Sequence, residues 1–133
     1  MKTRPMLTLE DCRRISTAAE AEAKKNNWNV CIAILDDGGH LLHLVRMDGA
    51  SPANARIAME KGRTAAESRR SSAVWEERIK AGRNAMLGMP GITPVQGGLP
   101  IIAEGVCVGG VGVSGVQSHE DEQIAAAGIK ALA

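Results

Sequence analysis

The chain has 133 residues, enough for one hydrophobic core and too few for two domains. Its formal net charge of +1 argues against the strongly basic surface that binds nucleic acids or anionic membranes. Hydrophobic residues make up 44% of the sequence, but Phe and Tyr are absent, which also disfavours the stacking platforms of single-strand nucleic-acid binders.

The cysteines and the N-terminal segment bear on the cellular compartment of the protein. Three cysteines, Cys12, Cys31 and Cys107, are widely spaced and form no Cys-x-x-Cys pair. An odd number of isolated cysteines favours free thiols over a disulfide framework. No apolar stretch typical of a signal peptide follows Met1, and no run reaches membrane-spanning length. We therefore expect a cytoplasmic protein.

The first part of the chain predicts a helix followed by a β-hairpin. Thr8, with Asp11 three residues later, is typical of a helix start, and apolar residues recur at helical spacing beyond it. Residues 30–35 are apolar on both faces, as expected of a central strand. Residues 36–39 form a strong turn signal, and residues 40–47 are predicted to return as the second strand.

The middle of the chain predicts two helices and a loop. One helix begins at Ser51 or Asn54, and its buried stripe consists of small residues that allow close packing on a sheet. A further amphipathic helix is predicted near residues 75–84. Residues 86–98 are rich in Pro and Gly and are predicted to form a loop.

The end of the chain predicts a second hairpin and a last helix. Strands over residues 99–103 and 106–113 flank a tight turn. Ser118 is predicted as the N-cap of the helix, with Asp121 at the capping-box position. The predicted order is therefore helix, hairpin, helices, hairpin and helix, within a single domain over residues 1–133.

Seven glycines lie between Gly97 and Gly115, several of them within the predicted second hairpin. Glycine inside a strand usually marks a bulge or a close approach by another backbone or a ligand. Two interpretations follow. The backbone N–H groups of Gly112 to Gly115 can cradle an anion near a helix start, or the glycines allow close helix–sheet or subunit packing.

Five motifs in order resemble one known family, the GlcG and HbpS family of haem-degrading or haem-binding proteins. The same family forms the C-terminal domain of PduO-type corrinoid adenosyltransferases. The resemblance extends from about Leu7 to Ala131. The motifs that carry it are Asp36-Asp37-Gly38-Gly39-His40-Leu41, Arg46-Met47-Asp48-Gly49-Ala50, Lys61-Gly62-Arg63-Thr64-Ala65, Gly97-Gly98-Leu99-Pro100-Ile101 and, after Gly105, Val108-Gly109-Gly110-Val111-Gly112-Val113-Ser114-Gly115.

This resemblance implies a profilin-like α/β/α architecture of the α+β class, with a five-stranded antiparallel sheet flanked by helices. It also implies a homo-oligomer, a dimer or a larger ring. Some members bind haem and degrade it with release of iron, so haem is the implied cofactor. Family resemblance supports a fold more strongly than a function.

Three histidines are candidate ligands for a haem iron: His40, His43 and His119. His40 and His43 are three residues apart on one predicted strand and therefore point to opposite faces, so they are not expected to share a metal. For each of the three, a partly buried, edge or solvated histidine is the simpler interpretation. Met47 is a further candidate ligand, although a core position is favoured.

A ligand pocket is predicted where the first hairpin meets the second helix. Its cationic groups can bind a carboxylate, such as a haem propionate or a small organic acid, although a salt-bridged surface is the simpler interpretation. The predicted ligand-binding residues are Arg46, Met47, Asp48, Lys61, Thr64, Gly97, Gly98, Pro100, Gly112, Ser114 and Gly115.

Three functions remain open at this point. The first is haem or tetrapyrrole binding, with or without oxidative degradation. The second is a non-catalytic accessory or sensor module that binds a small anionic metabolite, as in glycolate or diol and glycerol utilisation. The third is a structural oligomer without a ligand. The sequence shows no nucleophile–base pair and no phosphate-binding loop, so no catalytic residue is predicted.

Overall fold

The computed structural model describes residues 1–132. Four α-helices and four β-strands follow one another in the predicted order, with a short 3-10 helix at Asn84–Gly88. The elements are α1 (Leu9–Lys25), β1 (Cys31–Asp36), β2 (Leu41–Arg46), α2 (Ala53–Ser68), α3 (Ser72–Lys80), β3 (Gly98–Ala103), β4 (Val106–Ser114) and α4 (Ser118–Lys130).

The strands form one antiparallel sheet in the order β2-β1-β4-β3. The two central strands pair with Cys31 opposite Ser114 and Asp36 opposite Gly109. Because β1 has a neighbour on both sides and a helix layer on both faces, its side chains are buried throughout except at the last residue, Asp36.

Side-chain alternation along the sheet divides the core into two layers. Ile32 and Ile34 belong to the larger layer, which α1 and α4 cover. Ala33 and Leu35 point to the opposite face, which α2 covers through Ala58. The α/β/α arrangement and the α+β class are thereby confirmed.

The capping box predicted at the start of α1 is confirmed. Thr8 Oγ1 accepts a hydrogen bond from the Asp11 N–H at 3.1 Å, and the Asp11 carboxylate accepts one from the Thr8 N–H at 2.8 Å. These two bonds satisfy amide donors that a helix start leaves without partners.

The sheet has four strands in the described residues, so the expected five-stranded sheet is wrong. The two hairpins supply all four strands. The segment that joins α3 to β3 contains Pro90 and Pro94. Proline has no N–H to donate to a ladder, which disfavours an additional strand in this segment.

Two predicted helix boundaries are also wrong. The helix expected near residues 75–84 spans Ser72–Lys80, because Ser71 caps it by accepting a hydrogen bond from the Ala73 N–H. At α4 the N-cap is Gln117 rather than Ser118, and the carboxylate that closes the capping box belongs to Glu120. Asp121 is therefore available for a contact elsewhere.

Candidate functional site

The predicted pocket residues separate into two groups. One group is buried beneath and along α2: Lys61, Thr64, Gly98, Gly112 and Ser114. The other group, Arg46, Met47 and Asp48, lies at the end of β2. The chain therefore contains a buried polar centre and, at the sheet edge, a separate open cleft.

The buried polar centre is built on an ion pair between Lys61 of α2 and Asp121 of α4. Lys61 Nζ lies 3.0 Å from Asp121 Oδ2, and each side chain is 2% exposed. Lys61 Nζ also donates to the Val113 carbonyl at 3.1 Å, while Asp121 Oδ1 accepts from the Val116 N–H at 3.1 Å. The pair joins α2, the end of β4 and α4.

The ionisation of Asp121 reflects opposing influences. Burial raises the pKa of the Asp121 carboxyl above its ordinary value, and the Lys61 ammonium and the Val116 N–H act in the lowering direction. A charged pair removed from water in this way is stable only when both partners are present. The pair therefore holds α2 and α4 together, with both side chains closed off from solvent.

The glycine-rich face of β4 is in contact with the α2 backbone. A Cβ placed on Gly112 would lie 1.9 Å from the Ala58 carbonyl oxygen, and one on Gly98 would lie 2.1 Å from the Lys61 carbonyl oxygen. The space over these two glycines is thus filled by the helix. Close helix–sheet packing, one of the two interpretations of the glycine pattern, accounts for them.

The other predicted loop residues surround this centre. Ser114 Oγ donates to Asn54 Oδ1 at 2.7 Å. Gly97 is buried beside Lys61 with a φ of 131°, a backbone region that favours glycine, and Gly115 is exposed with a φ of 152°. Pro100 is half-buried on the edge strand β3.

The open cleft, named here the β2 cleft, has a volume of about 360 Å³ and lies between the end of α1 and the end of β2. Three of its residues were predicted from the sequence as ligand-binding. Its lining consists of Glu20, Lys24, Asn29, Val45, Arg46, Met47 and Asp48.

Four charged side chains line the β2 cleft. Lys24 and Arg46 are cationic, and Glu20 and Asp48 are anionic. Within residues 1–132, none of the four forms an ion pair. The cleft itself therefore contains no salt bridge within the described chain, although Lys61 and Arg63 form ion pairs with Asp121 and Glu60 elsewhere. The two cations of the cleft can bind an anionic group.

His43 is not among the lining residues, but it lies on the same face of β2 as Val45, two residues away. Val45, a lining residue, pairs with Ile32, and His43 pairs with Ile34, so both side chains lie on the sheet face that α1 covers. The His43 side chain is half-buried. It is the one histidine of the chain placed on the β2 face that forms the cleft wall.

The other two histidines are exposed and lie at opposite ends of the sheet. His40 follows the β1–β2 turn, is 81% exposed, and its ring nitrogen lies 3.2 Å from Asp36 Oδ1. His119 is exposed in the first turn of α4, after β4 has ended at Ser114. The three histidines therefore cannot coordinate one ion together.

Neither a clustered metal site nor a membrane-spanning helix occurs within residues 1–132. This part of the chain contains no group of three or more His, Cys, Asp or Glu side chains arranged to hold a metal ion. Its helices also include none with the length and apolar character that crossing a membrane requires.

Sequence reasoning missed Asp121 as the partner of Lys61, and it missed the α1 wall of the β2 cleft. Glu20 and Lys24 are four residues apart, so they lie one turn apart on the same face of α1. That spacing was a usable signal, but the pairing of α1 with β2 is a tertiary contact. Lys61 and Asp121 are 60 positions apart, and no local pattern joins them.

An α/β/α domain with a four-stranded antiparallel sheet and an open cleft at the sheet edge defines the class of this protein. The chain belongs to the HbpS-like family: the family model described as "Haem degrading protein HbpS-like" matches residues 7–130. The protein GlcG of Escherichia coli K12 is 46% identical over 114 residues, which cover 86% of this chain and 85% of GlcG.

Solved structures agree with the fold. A double mutant of HbpS from Streptomyces reticuli has a TM-score of 0.92 and 32% sequence identity, covering all of this chain and 91% of that chain. PduOC in its complex with haem has a TM-score of 0.86 at 23% identity, covering 96% of this chain and 95% of that chain. The second comparison shows a shared fold.

Proposed function

We propose that this protein binds haem at the β2 cleft, with His43 as a ligand of the iron. The family description gives the ligand class, and one observation supports the location: the half-buried His43 lies two residues from the lining residue Val45 on the same face of β2. An imidazole held on a strand is a rigid donor for haem iron.

The residues that line the β2 cleft are chemically suited to haem. Lys24, on α1, can pair with a propionate carboxylate, since it has no carboxylate partner within residues 1–132. Arg46 also lacks a carboxylate partner in this range, but it pairs with Cys31, so its side chain leaves β2 on the α2 face and would reach the haem around the edge strand. Val45 and Met47 supply apolar surface for the porphyrin. When bound, haem supplies redox chemistry at its iron, so any degradation of haem would use the cofactor's own reactivity.

The size of the cleft supports self-association. A volume of about 360 Å³ is near the lower end of the range of about 300–1,000 Å³ typical of ligand sites. One protomer would therefore leave part of a haem exposed, and a second copy that covers the free edge of β2 would complete the enclosure. The proposal thus includes a cytoplasmic homo-oligomer.

Single histidine variants test the assignment. His43→Ala is compared with His40→Ala and His119→Ala as matched controls, because the control histidines are exposed and lie outside the cleft. During hemin titration we expect the Soret band to lose its sharp form only in His43→Ala. Unchanged spectra in His43→Ala, together with a loss in either control, would move the iron ligand elsewhere.

A small organic anion is the second candidate ligand. The same cleft offers two cations without carboxylate partners in the described chain, and its volume suits a metabolite better than a fully enclosed porphyrin. A ligand that binds only the native state raises the melting temperature. Stabilisation by glycolate that Arg46→Gln abolishes, combined with no specific hemin spectrum, would favour this accessory or sensor role.

A further inference from the structure

A second cleft, named here the Trp75 cleft, lies where the end of α2, α3 and the segment after the 3-10 helix meet. It has a volume of about 410 Å³ and shares no residue with the β2 cleft. It is lined by Glu67, Ser68, Arg70, Trp75, Arg78, Met89, Pro90 and Ile92. A ligand of the Trp75 cleft would therefore bind at a site separate from the one proposed for haem.

Two arginines, Arg70 and Arg78, line this cleft. Neither Arg70 nor Arg78 forms an ion pair with a carboxylate of residues 1–132. Arg78 lies over the ring of Trp75, with its guanidinium carbon 5.1 Å from the ring centroid. Stacking of this kind fixes the guanidinium plane and leaves its N–H groups available to a carboxylate.

The indole and the adjacent segment provide an apolar body for the cleft. Trp75 is 7% exposed, and its Nε1 donates to Ser68 Oγ at 3.2 Å, which fixes the orientation of the ring. Met89, Pro90 and Ile92 line the cleft with apolar side chains. A ligand that fills this space presents apolar surface to them and its charge to the arginines.

A buried hydrogen bond holds the apolar segment in place. Thr64, on α2, is fully buried, and its Oγ1 accepts from the Thr93 N–H at 2.9 Å. The same hydroxyl donates to the Glu60 carbonyl at 2.8 Å. The segment beside Ile92 is therefore anchored to a helix, which reduces the ordering that ligand binding requires.

The charge balance selects a monoanion. Arg70 and Arg78 contribute two positive charges, and Glu67 contributes the one carboxylate in the lining. The net charge of +1 matches one ligand carboxylate, and Glu67 disfavours a second negative group nearby. We propose that the Trp75 cleft binds a planar aromatic monocarboxylate, with its carboxylate at the two arginines and its ring in the apolar part.

Isothermal titration calorimetry with benzoate tests this site. Acetate lacks the ring and benzyl alcohol lacks the charge, so benzoate is expected to bind at least about tenfold more tightly than either. The Trp75 emission should change saturably with benzoate, and Trp28→Phe removes the other indole of the chain. Calorimetry on the wild-type protein keeps the test valid if that variant fails to fold.

Arginine variants locate the charge. Arg70→Gln and Arg78→Gln are each expected to weaken benzoate binding about tenfold, whereas Arg56→Gln, an exposed arginine of α2 outside the cleft, should leave it unchanged. His43→Ala should also leave it unchanged. The proposal is overturned if benzoate shows no saturable binding, if benzyl alcohol binds equally well, or if Arg56→Gln weakens binding as much as Arg78→Gln does.

Discussion

Lys61 and Asp121 form an ion pair between two helices that lie on opposite faces of the sheet, with 3.0 Å between Nζ and Oδ2. The sheet end and the start of α4 are joined to this pair through Val113 and Val116. The pair therefore fixes the relative position of the two helix layers at one end of the sheet.

Breaking this pair should be costly. Lys61→Met or Asp121→Leu alone leaves the other charge buried without its partner, and each should lower the free energy of unfolding by about 3–5 kcal/mol. The double variant should lose less than the sum of the two, because neither charge remains. Chemical denaturation measures all three free energies.

The exposed pair of Lys80 and Glu76 is the control for that cycle. Lys80 is 66% exposed in this i, i+4 pair, so Lys80→Met should change the free energy of unfolding by no more than about 1 kcal/mol. Equal losses in Lys61→Met and Lys80→Met would show that burial of the pair has no energetic consequence.

Gly112 should not tolerate a side chain. Gly112→Ala brings its Cβ into the Ala58 carbonyl oxygen, so α2 must move away from the sheet, and we expect a loss of about 3 kcal/mol, the upper end of the usual cost of overpacking. Gly88→Ala is the matched control, because a Cβ at Gly88 meets nothing within 4 Å. Thermal and urea denaturation of the two variants compare these costs, and similar stabilities would contradict the helix–sheet contact.

Thr64 provides a test of the segment anchored to α2. Thr64→Val keeps the shape of the side chain but leaves the Thr93 N–H without its acceptor, which should cost about 1–3 kcal/mol. Thr64→Ser retains the hydroxyl and should recover part of this loss. A Val variant as stable as the wild type would contradict a stabilising role for this hydrogen bond.

The α1 capping box makes stability depend on pH. The backbone N–H of Thr8, and then its hydroxyl, lowers the pKa of the Asp11 carboxyl below its ordinary value of 3.8. The unfolded state therefore binds the proton first as pH falls. The stabilisation is present above pH 3.8 and is lost as pH falls through the lower pKa of the folded state.

Denaturation of the wild type and of Asp11→Asn across the acid range measures this dependence. The two free energies of unfolding should converge as Asp11 becomes protonated in the folded state. A constant difference between the two proteins at every pH would contradict a lowered pKa for Asp11.

Local sequence signals predicted most of the fold. The apolar run of residues 30–35, the turn signal of residues 36–39 and the capping box at Thr8 depend on neighbours in the sequence. The elements that they define were predicted with small boundary errors. The five-stranded sheet came from family resemblance alone. At α4, Ser118 and Asp121 satisfied the capping-box spacing, but the tertiary contact with Lys61 uses Asp121 instead.

The candidate site was less accessible to sequence reasoning. Arg46, Met47 and Asp48 line the β2 cleft, but its α1 wall depends on how a helix crosses a strand, which local periodicity does not specify. The glycine pattern of β4 indicated a close approach without showing what approaches. The structure shows that α2 lies against these glycines. Lys61 of α2 is buried, whereas Arg46 lines the β2 cleft, so the two residues belong to different parts of the molecule.

The most direct test of the account is the visible spectrum of the purified protein during titration with hemin. Haem binding at the β2 cleft predicts a sharp Soret band that saturates at one haem per protomer, or at one per two protomers if the second copy completes the site. A broad spectrum that matches free hemin and never saturates would contradict the proposed function.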